Sequence, residues 1–164
     1  MSVLVAYATH SGATRTLADA IVEELRVHGI AGEAIDVKDD PDPSVHDAVV
    51  LGSGVRMQAF ERCASAWASK HRKQLRSQPF ALFTCSGGAA DPEKAKDLQI
   101  AHSFADGLQL DPVAVRNFPG WVLMDRIPMH ERVLLTAMRV PQGDFRDLPA
   151  VASWTRGLLG EFDV

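Results

Sequence analysis

The sequence predicts a doubly wound α/β fold, with five parallel strands in the order 2-1-3-4-5 and helices on both faces of the sheet. Short apolar runs alternate along the chain with segments of helical period, which calls for parallel strands joined by crossover helices. Loops rich in Gly, Ser and Thr follow the first, third and fourth runs, where the switch point of such a sheet binds ligands. A chain of 164 residues, 46% hydrophobic and 23% charged, suits one domain over 1–164 that buries a sizeable core.

Val3 to Ala8 is the first strand, an unbroken apolar run. After the loop Thr9 to Thr14, Leu17, Ile21, Leu25 and His28 recur at helical spacing, and Gly29 suits the residue just past a helix end. Ala31 to Val37 is the second strand. Lys38-Asp39-Asp40-Pro41-Asp42-Pro43 breaks regularity, so a loop and a short turn are expected where a crossover helix would stand. Asp47 to Gly52 is a buried third strand. A helix from about Phe60 to Arg76 places Phe60, Ala64, Trp67, Ala68 and His71 on one face, and its cationic tail complements the helix dipole. Phe80 to Cys85 is the fourth strand. Asp91-Pro92-Glu93 opens a helix with a cap and an N1 proline, and Leu98, Ala101, Ala105 and Leu108 form its inner face. The fifth strand spans about Val113 to Phe118. A closing helix follows Asp147 with Val151, Trp154, Leu158 and Phe162 inward.

Between the fifth strand and that helix lies an apolar insert at about 120–142. It carries Trp121, Met124, Ile127, Met129, Val133, Leu134 and Met138, interleaved with Arg126, His130 and Arg132. Such spacing reads either as core packing or as an apolar wall for a substrate or a membrane face. Trp121 and Met124, ahead of the helical part, are expected to face outward.

The first loop carries the most chemistry. Thr9, His10, Ser11, Gly12, Ala13 and Thr14 place hydroxyls and backbone N–H groups where a strand hands over to a helix N-terminus, a natural phosphate site. Gly12 lets the backbone come close to an oxyanion. Neither GxGxxG nor GxxxxGK[ST] is present, which argues against dinucleotide and ATP sites and leaves a phosphate monoester held by neutral donors. The alternative is a plain turn capped by Ser11. Ser53, Gly54, Val55, Arg56 and Met57 form the second loop, and Thr84, Cys85, Ser86, Gly87 and Gly88 the third; both would offer backbone groups to the edges of a flat ring.

The pattern Tyr7-x-Thr9-x-x-Gly12-x-Thr14-x-x-x-Ala18-x-x-Ile21 resembles the FMN-phosphate signature of flavodoxins, with Ala6 where a larger apolar residue is usual. Val49 to Arg56, the helix with Phe60 and Trp67, and Phe118-Pro119-Gly120-Trp121 with the apolar segment after it are similar to the flavodoxin-type, menaquinone-dependent protoporphyrinogen oxidases. The resemblance implies a flavodoxin-like fold, FMN as cofactor, a porphyrinogen as substrate and a quinone as acceptor. An inserted loop near the flavin would serve substrate contact and peripheral contact with the inner face of the cell membrane. Two other readings stay open: a flavodoxin proper, carrying electrons between proteins, and a protein of this fold using 8-hydroxy-5-deazaflavin. The resemblance assigns no catalytic base; Arg56 is a candidate to stabilise anionic flavin or steer an acidic substrate, and His130 with Arg126 to meet propionates or shuttle protons, the alternative for each being a solvated surface group.

A net charge of -4 argues against nucleic acid as a partner, and also against the strongly acidic docking face of an electron carrier. Cys63 and Cys85 form neither a disulfide framework nor a zinc spacing, so a reducing cytoplasm and no metal are expected. No basic-then-apolar leader and no run of membrane-spanning length stands out.

Overall fold

A computed structural model describes residues 1–87 and 96–163. Along the chain run β1 (Ser2–Ala8), α1 (Ala13–Val27), β2 (Ala31–Asp36), β3 (Ala48–Arg56), β4 (Ala59–Phe60), α2 (Arg62–Lys70), α3 (Arg72–Leu75) and β5 (Phe80–Ser86). Then follow α4 (Lys96–Gly107), β6 (Ala114–Pro119), β7 (Trp121–Val122), α5 (Met129–Ala137), β8 (Gly143–Asp144) and α6 (Leu148–Glu161). Five parallel strands stand in the order β2-β1-β3-β5-β6, which is the predicted 2-1-3-4-5 arrangement with the short β4 set aside.

Alternation along β1 builds two cores. Val3, Val5 and Tyr7 face the layer of α1 and α6 and meet Leu17, Ile21, Leu25, Val151 and Leu158. Leu4, Ala6 and Ala8 face the opposite layer and meet Ala64, Trp67, Ala101 and Ala105. Successive side chains of a strand point to opposite faces, so a strand covered on both sides must be apolar throughout, as β1 is. Each fully buried Val or Leu here contributes roughly 1.5 to 3 kcal/mol.

α1 ends in a Schellman motif. Gly29, at φ 74°, donates to the Arg26 carbonyl, and Ile30 donates to that of Leu25, each at 3.0 Å. His28 lies outside the core at this terminus, with Nδ1 2.9 Å from the Glu24 carbonyl oxygen. Between β2 and β3 the expected loop takes the form of two 3-10 turns, Val37–Asp39 and Pro43–Val45, capped by Asp36 and Asp42.

Three local features differ from the sequence reading. β3 runs past the sheet to Arg56 and folds back through Met57 and Gln58, both at positive φ, to pair Val55 with Phe60 and Arg56 with Ala59. Two consecutive left-handed residues make a tight hairpin, and without Asn-Gly or Asp-Gly the sequence gives no sign of it. Phe60 therefore belongs to a strand, yet it stays buried by stacking on Phe104 at 4.1 Å between centroids. The helix expected to run to Arg76 breaks at His71, whose ring nitrogen lies 3.1 Å from an Asp40 carboxylate oxygen. On α4, Ala101 and Ala105 are buried, but Leu98 is exposed. The predicted start of that helix at Asp91-Pro92-Glu93 lies outside the described residues.

The insert hangs from a two-residue ladder. Trp121 pairs with Asp144 and Val122 with Gly143, and Phe145 donates to the Gly120 carbonyl at 3.0 Å. α5, carried on this stalk, buries none of its residues.

Candidate functional site

Register brings the three loops together. Ala8 pairs with Ser53, Ser53 with Thr84, and Gly54 with Cys85, so the ends of β1, β3 and β5 stand level. The loops that follow form one cradle at the C-terminal edge of the sheet, the usual ligand position in this topology.

The first loop is built to leave the start of α1 free. Gly12 occupies the cap position at φ 96°, a left-handed conformation that a side chain disfavours, and no side chain caps the helix. The Ser11 cap is therefore not made. Thr9 Oγ1 accepts from the Gly12 N–H at 2.9 Å and keeps its own proton to donate outward. The helix N-terminus thus presents backbone N–H groups and its positive dipole end to an anion. Small residues let a phosphate approach, so the donor set fits a phosphate monoester such as that of FMN. Thr14, at the start of α1, is buried.

The other hydroxyls serve the scaffold. Ser53 Oγ donates to the Gly54 carbonyl at 2.9 Å and accepts from the Glu61 N–H at 3.1 Å. Thr84 Oγ1 donates to Asn117 Oδ1 of β6 at 2.8 Å, and Ser86 Oγ lies 3.5 Å from the same oxygen. What these two loops can offer a flat ring is backbone. Val55 lies in the hairpin beside Arg56, and Met57 at its tip is 92% exposed. Gly87 sits against Val122, since an added Cβ would come within 2.9 Å of it. Gly88 lies outside the described residues.

Cys85 is not a nucleophile at neutral pH. Burial pushes its thiol up to about 12, outweighing the opposing Thr14 hydrogen bond and the charge of Arg146. Gly120 presses on it: a Cβ there would lie 2.6 Å from Cys85 Sγ and 3.2 Å from Ala13 Cβ.

Trp121 is turned inward, contrary to the outward position expected of it. Its Nε1 donates to the Ser11 carbonyl at 3.1 Å, its ring edge lies 3.3 Å from where a Gly12 Cβ would be, and it packs on the α1-side core. Arg126 and Arg146 stack on its ring at 4.8 and 4.5 Å from the centroid. Met124 is half-buried. The apolar residues that do face solvent are Met129, Val133, Leu134 and Met138, at 71%, 66%, 50% and 65% exposure.

An ionic network crosses the cradle. Glu131 of α5 lies 2.8 Å from His10 Nε2 and 2.7 Å from Arg56 Nη1, and Glu61 lies 3.2 Å from Arg56 Nε. Burial works to raise the Glu131 pKa, but the hydrogen bond and charge of His10 and the charge of Arg56 outweigh it, so its carboxyl titrates below the ordinary range. His130 is 81% exposed and touches only the margin of this network, 3.8 Å from Glu131. Sequence reasoning names His10 and Arg56 but misses Glu131, Glu61, Asn117 and Gly120. Their partners lie up to 121 residues away, and no local motif signals them. Among the described residues no group of three or more His, Cys, Asp or Glu could hold a metal, and no helix is long and apolar enough to cross a membrane.

Residues 4–148 match the family model of the flavodoxin domain. The chain is 29% identical over 96 residues to protoporphyrinogen IX dehydrogenase (quinone) of Escherichia coli strain K12, covering 57% of this chain and 53% of that protein. It is 26% identical over 147 residues to the protein of the same name from Leishmania major, covering 86% of this chain and 64% of that one. The chain thus spans about half the length of the first relative and under two thirds of the second. Among solved structures, a short-chain flavodoxin associated with a non-canonical PDU bacterial microcompartment superposes with a TM-score of 0.62 at 10% identity, covering 98% of each chain. At that identity the likeness concerns the fold.

Proposed function

This chain belongs to the flavodoxin domain family, and from that premise we propose that it is an FMN-dependent oxidoreductase that oxidises a porphyrinogen and delivers the electrons to a quinone. The observation that carries the proposal is the insert. Its Trp121 braces the phosphate loop while α5 holds four apolar side chains in solvent beside the cradle, an arrangement suited to a large apolar substrate. The named relatives support the same substrate and acceptor.

FMN, when bound, would supply the redox chemistry. The chain's own residues bind and orient it. The N-terminus of α1 with Thr9, Ser11 and Gly12 would hold the phosphate, and the backbone after β3 and β5 would meet the ring edges. Neither of those two loops supplies an aromatic from its described residues, so one ring face would stay open to a substrate. The exposed face of α5 also suits peripheral contact with a membrane, where a quinone resides.

Anaerobic mixing of the FMN-loaded protein with protoporphyrinogen IX tests the proposal. Bleaching of the flavin bands, followed by their return on adding a menaquinone analogue, is the expected result. A flavin that ignores porphyrinogen yet exchanges electrons with a flavodoxin reductase would identify an electron carrier instead. Mass identification of the released chromophore separates FMN from 8-hydroxy-5-deazaflavin.

A further inference from the structure

The Arg56 guanidinium and the His10 imidazole approach within 3.1 Å of each other beside the phosphate loop. One carboxylate joins them. Glu131 places Oε1 2.7 Å from Arg56 Nη1 and Oε2 2.8 Å from His10 Nε2, so each oxygen serves one donor. That is the geometry any free carboxylate would adopt between the two. The site is also accessible, since the Arg56 and His10 side chains are 47% and 27% exposed.

Little holds Glu131 there. α5 has no fully buried residue, and the Arg56 side of the pair is 47% exposed, so solvent competes for it. Arg56, by contrast, is fixed from its other side by Glu61. Arg56 is therefore held independently of the carboxylate that joins it to His10.

We propose that Arg56 and His10 form a subsite for a carboxylate of the substrate, and that Glu131 fills it as an internal stand-in until the substrate displaces it. This deepens the porphyrinogen reading and rests on it only for the identity of the acid. Arg56 and His10 then set specificity for an acidic substrate. Glu131 sets how strongly that acid must compete. His130, 3.8 Å from Glu131, is the remaining titratable neighbour in the network.

Side-chain 1H–15N spectra of the FMN-loaded protein test this, with propionate as the probe and propionamide as the neutral control. Propionate should move the His10 and Arg56 signals, with half-saturation about threefold lower in Glu131→Gln than in the unaltered protein. Propionamide should move neither. Arg56→Gln, checked for an unchanged melting temperature, should abolish the propionate response. The proposal is overturned if propionate leaves both signals unmoved in Glu131→Gln. It is equally overturned if FMN loading alone expels Glu131 and propionate then adds nothing, which would make the flavin phosphate the occupant. Mesoporphyrin IX and its dimethyl ester form a second arm. Preference for the diacid supports both readings, whereas a propionate response without that preference upholds the subsite and counts against porphyrinogen as its ligand.

Discussion

The indole N–H of Trp121 donates to the carbonyl of Ser11 at 3.1 Å, tying the start of the insert to the middle of the Thr9–Thr14 loop across 110 residues of sequence. The same ring lies against Gly12. The insert therefore shapes the cradle at the sheet's C-terminal edge as well as whatever stands beside it.

Trp121→Phe keeps most of the packing and loses the hydrogen bond, at about 1 kcal/mol. A roughly fivefold weaker FMN affinity is expected in fluorescence titration. Trp121→Ala also removes the ring from the core and from between Arg126 and Arg146, so the melting temperature should fall clearly. Normal FMN affinity in both variants would show that the brace does not control the loop.

Gly12→Val should nearly abolish FMN binding. Position 12 has φ 96°, which costs an L residue roughly 1 to 2 kcal/mol, and the added branches would collide with Trp121. Thr14→Val is milder. It removes a buried hydroxyl and should lower stability by about 1 kcal/mol. Titration of both variants, with melting curves, separates the binding effect from the packing effect.

Gly120→Ala should destabilise the protein, because the new Cβ would sit 2.6 Å from the Cys85 sulfur. Cys85→Ala removes that sulfur at a cost of its own. Combined, the two changes should cost less than their sum, since each relieves the other. Additive shifts in urea midpoints would refute the contact.

The two cysteines should differ sharply. At pH 8 the half-exposed Cys63 should react with a thiol reagent, while Cys85, raised to about 12, stays protonated and closed off. Because burial raises its folded pKa above that of an exposed thiol, Cys85 contributes stability that is complete below about pH 9 and declines as pH rises toward 12. Tyr7, also raised by burial, acts in the same direction from pH 10 upward. Cys85→Ala should flatten the alkaline loss of stability between pH 9 and 10. An unchanged profile would argue against the shifted thiol.

The outward face of α5 can be changed with little effect on folding. Replacing Met129, Val133 and Met138 together with serine should move stability by no more than about 0.5 kcal/mol at each exposed position. Binding to anionic liposomes and porphyrinogen turnover should drop. A large loss of melting temperature would return this face to packing against the body.

The pattern of residues along the chain specifies the sheet and brings three small-residue loops to one edge of it. Runs such as VLVAYA mark a strand covered on both faces, Leu17, Ile21 and Leu25 mark one helical face, and Gly29 marks its end. Strand order follows from those alternations, because right-handed crossovers leave few other arrangements. The loop from Thr9 to Thr14 is legible for the same reason: its residues are contiguous and stand at a local handover from strand to helix.

What surrounds that loop depends on contacts between segments far apart in the chain. The hairpin at Met57-Gln58 needs two left-handed residues that carry no composition signal. Periodicity shows that the insert is apolar, but it cannot say which side faces water. That choice depends on Trp121 meeting Ser11 and Gly12, and it leaves Met129 and Val133 in solvent. Glu131 reads as one more surface carboxylate until the fold sets it between His10 and Arg56. A hydrogen bond is made within about 3 Å in space whatever the distance along the chain, so partners 75 or 121 residues apart become visible only when the chain is folded.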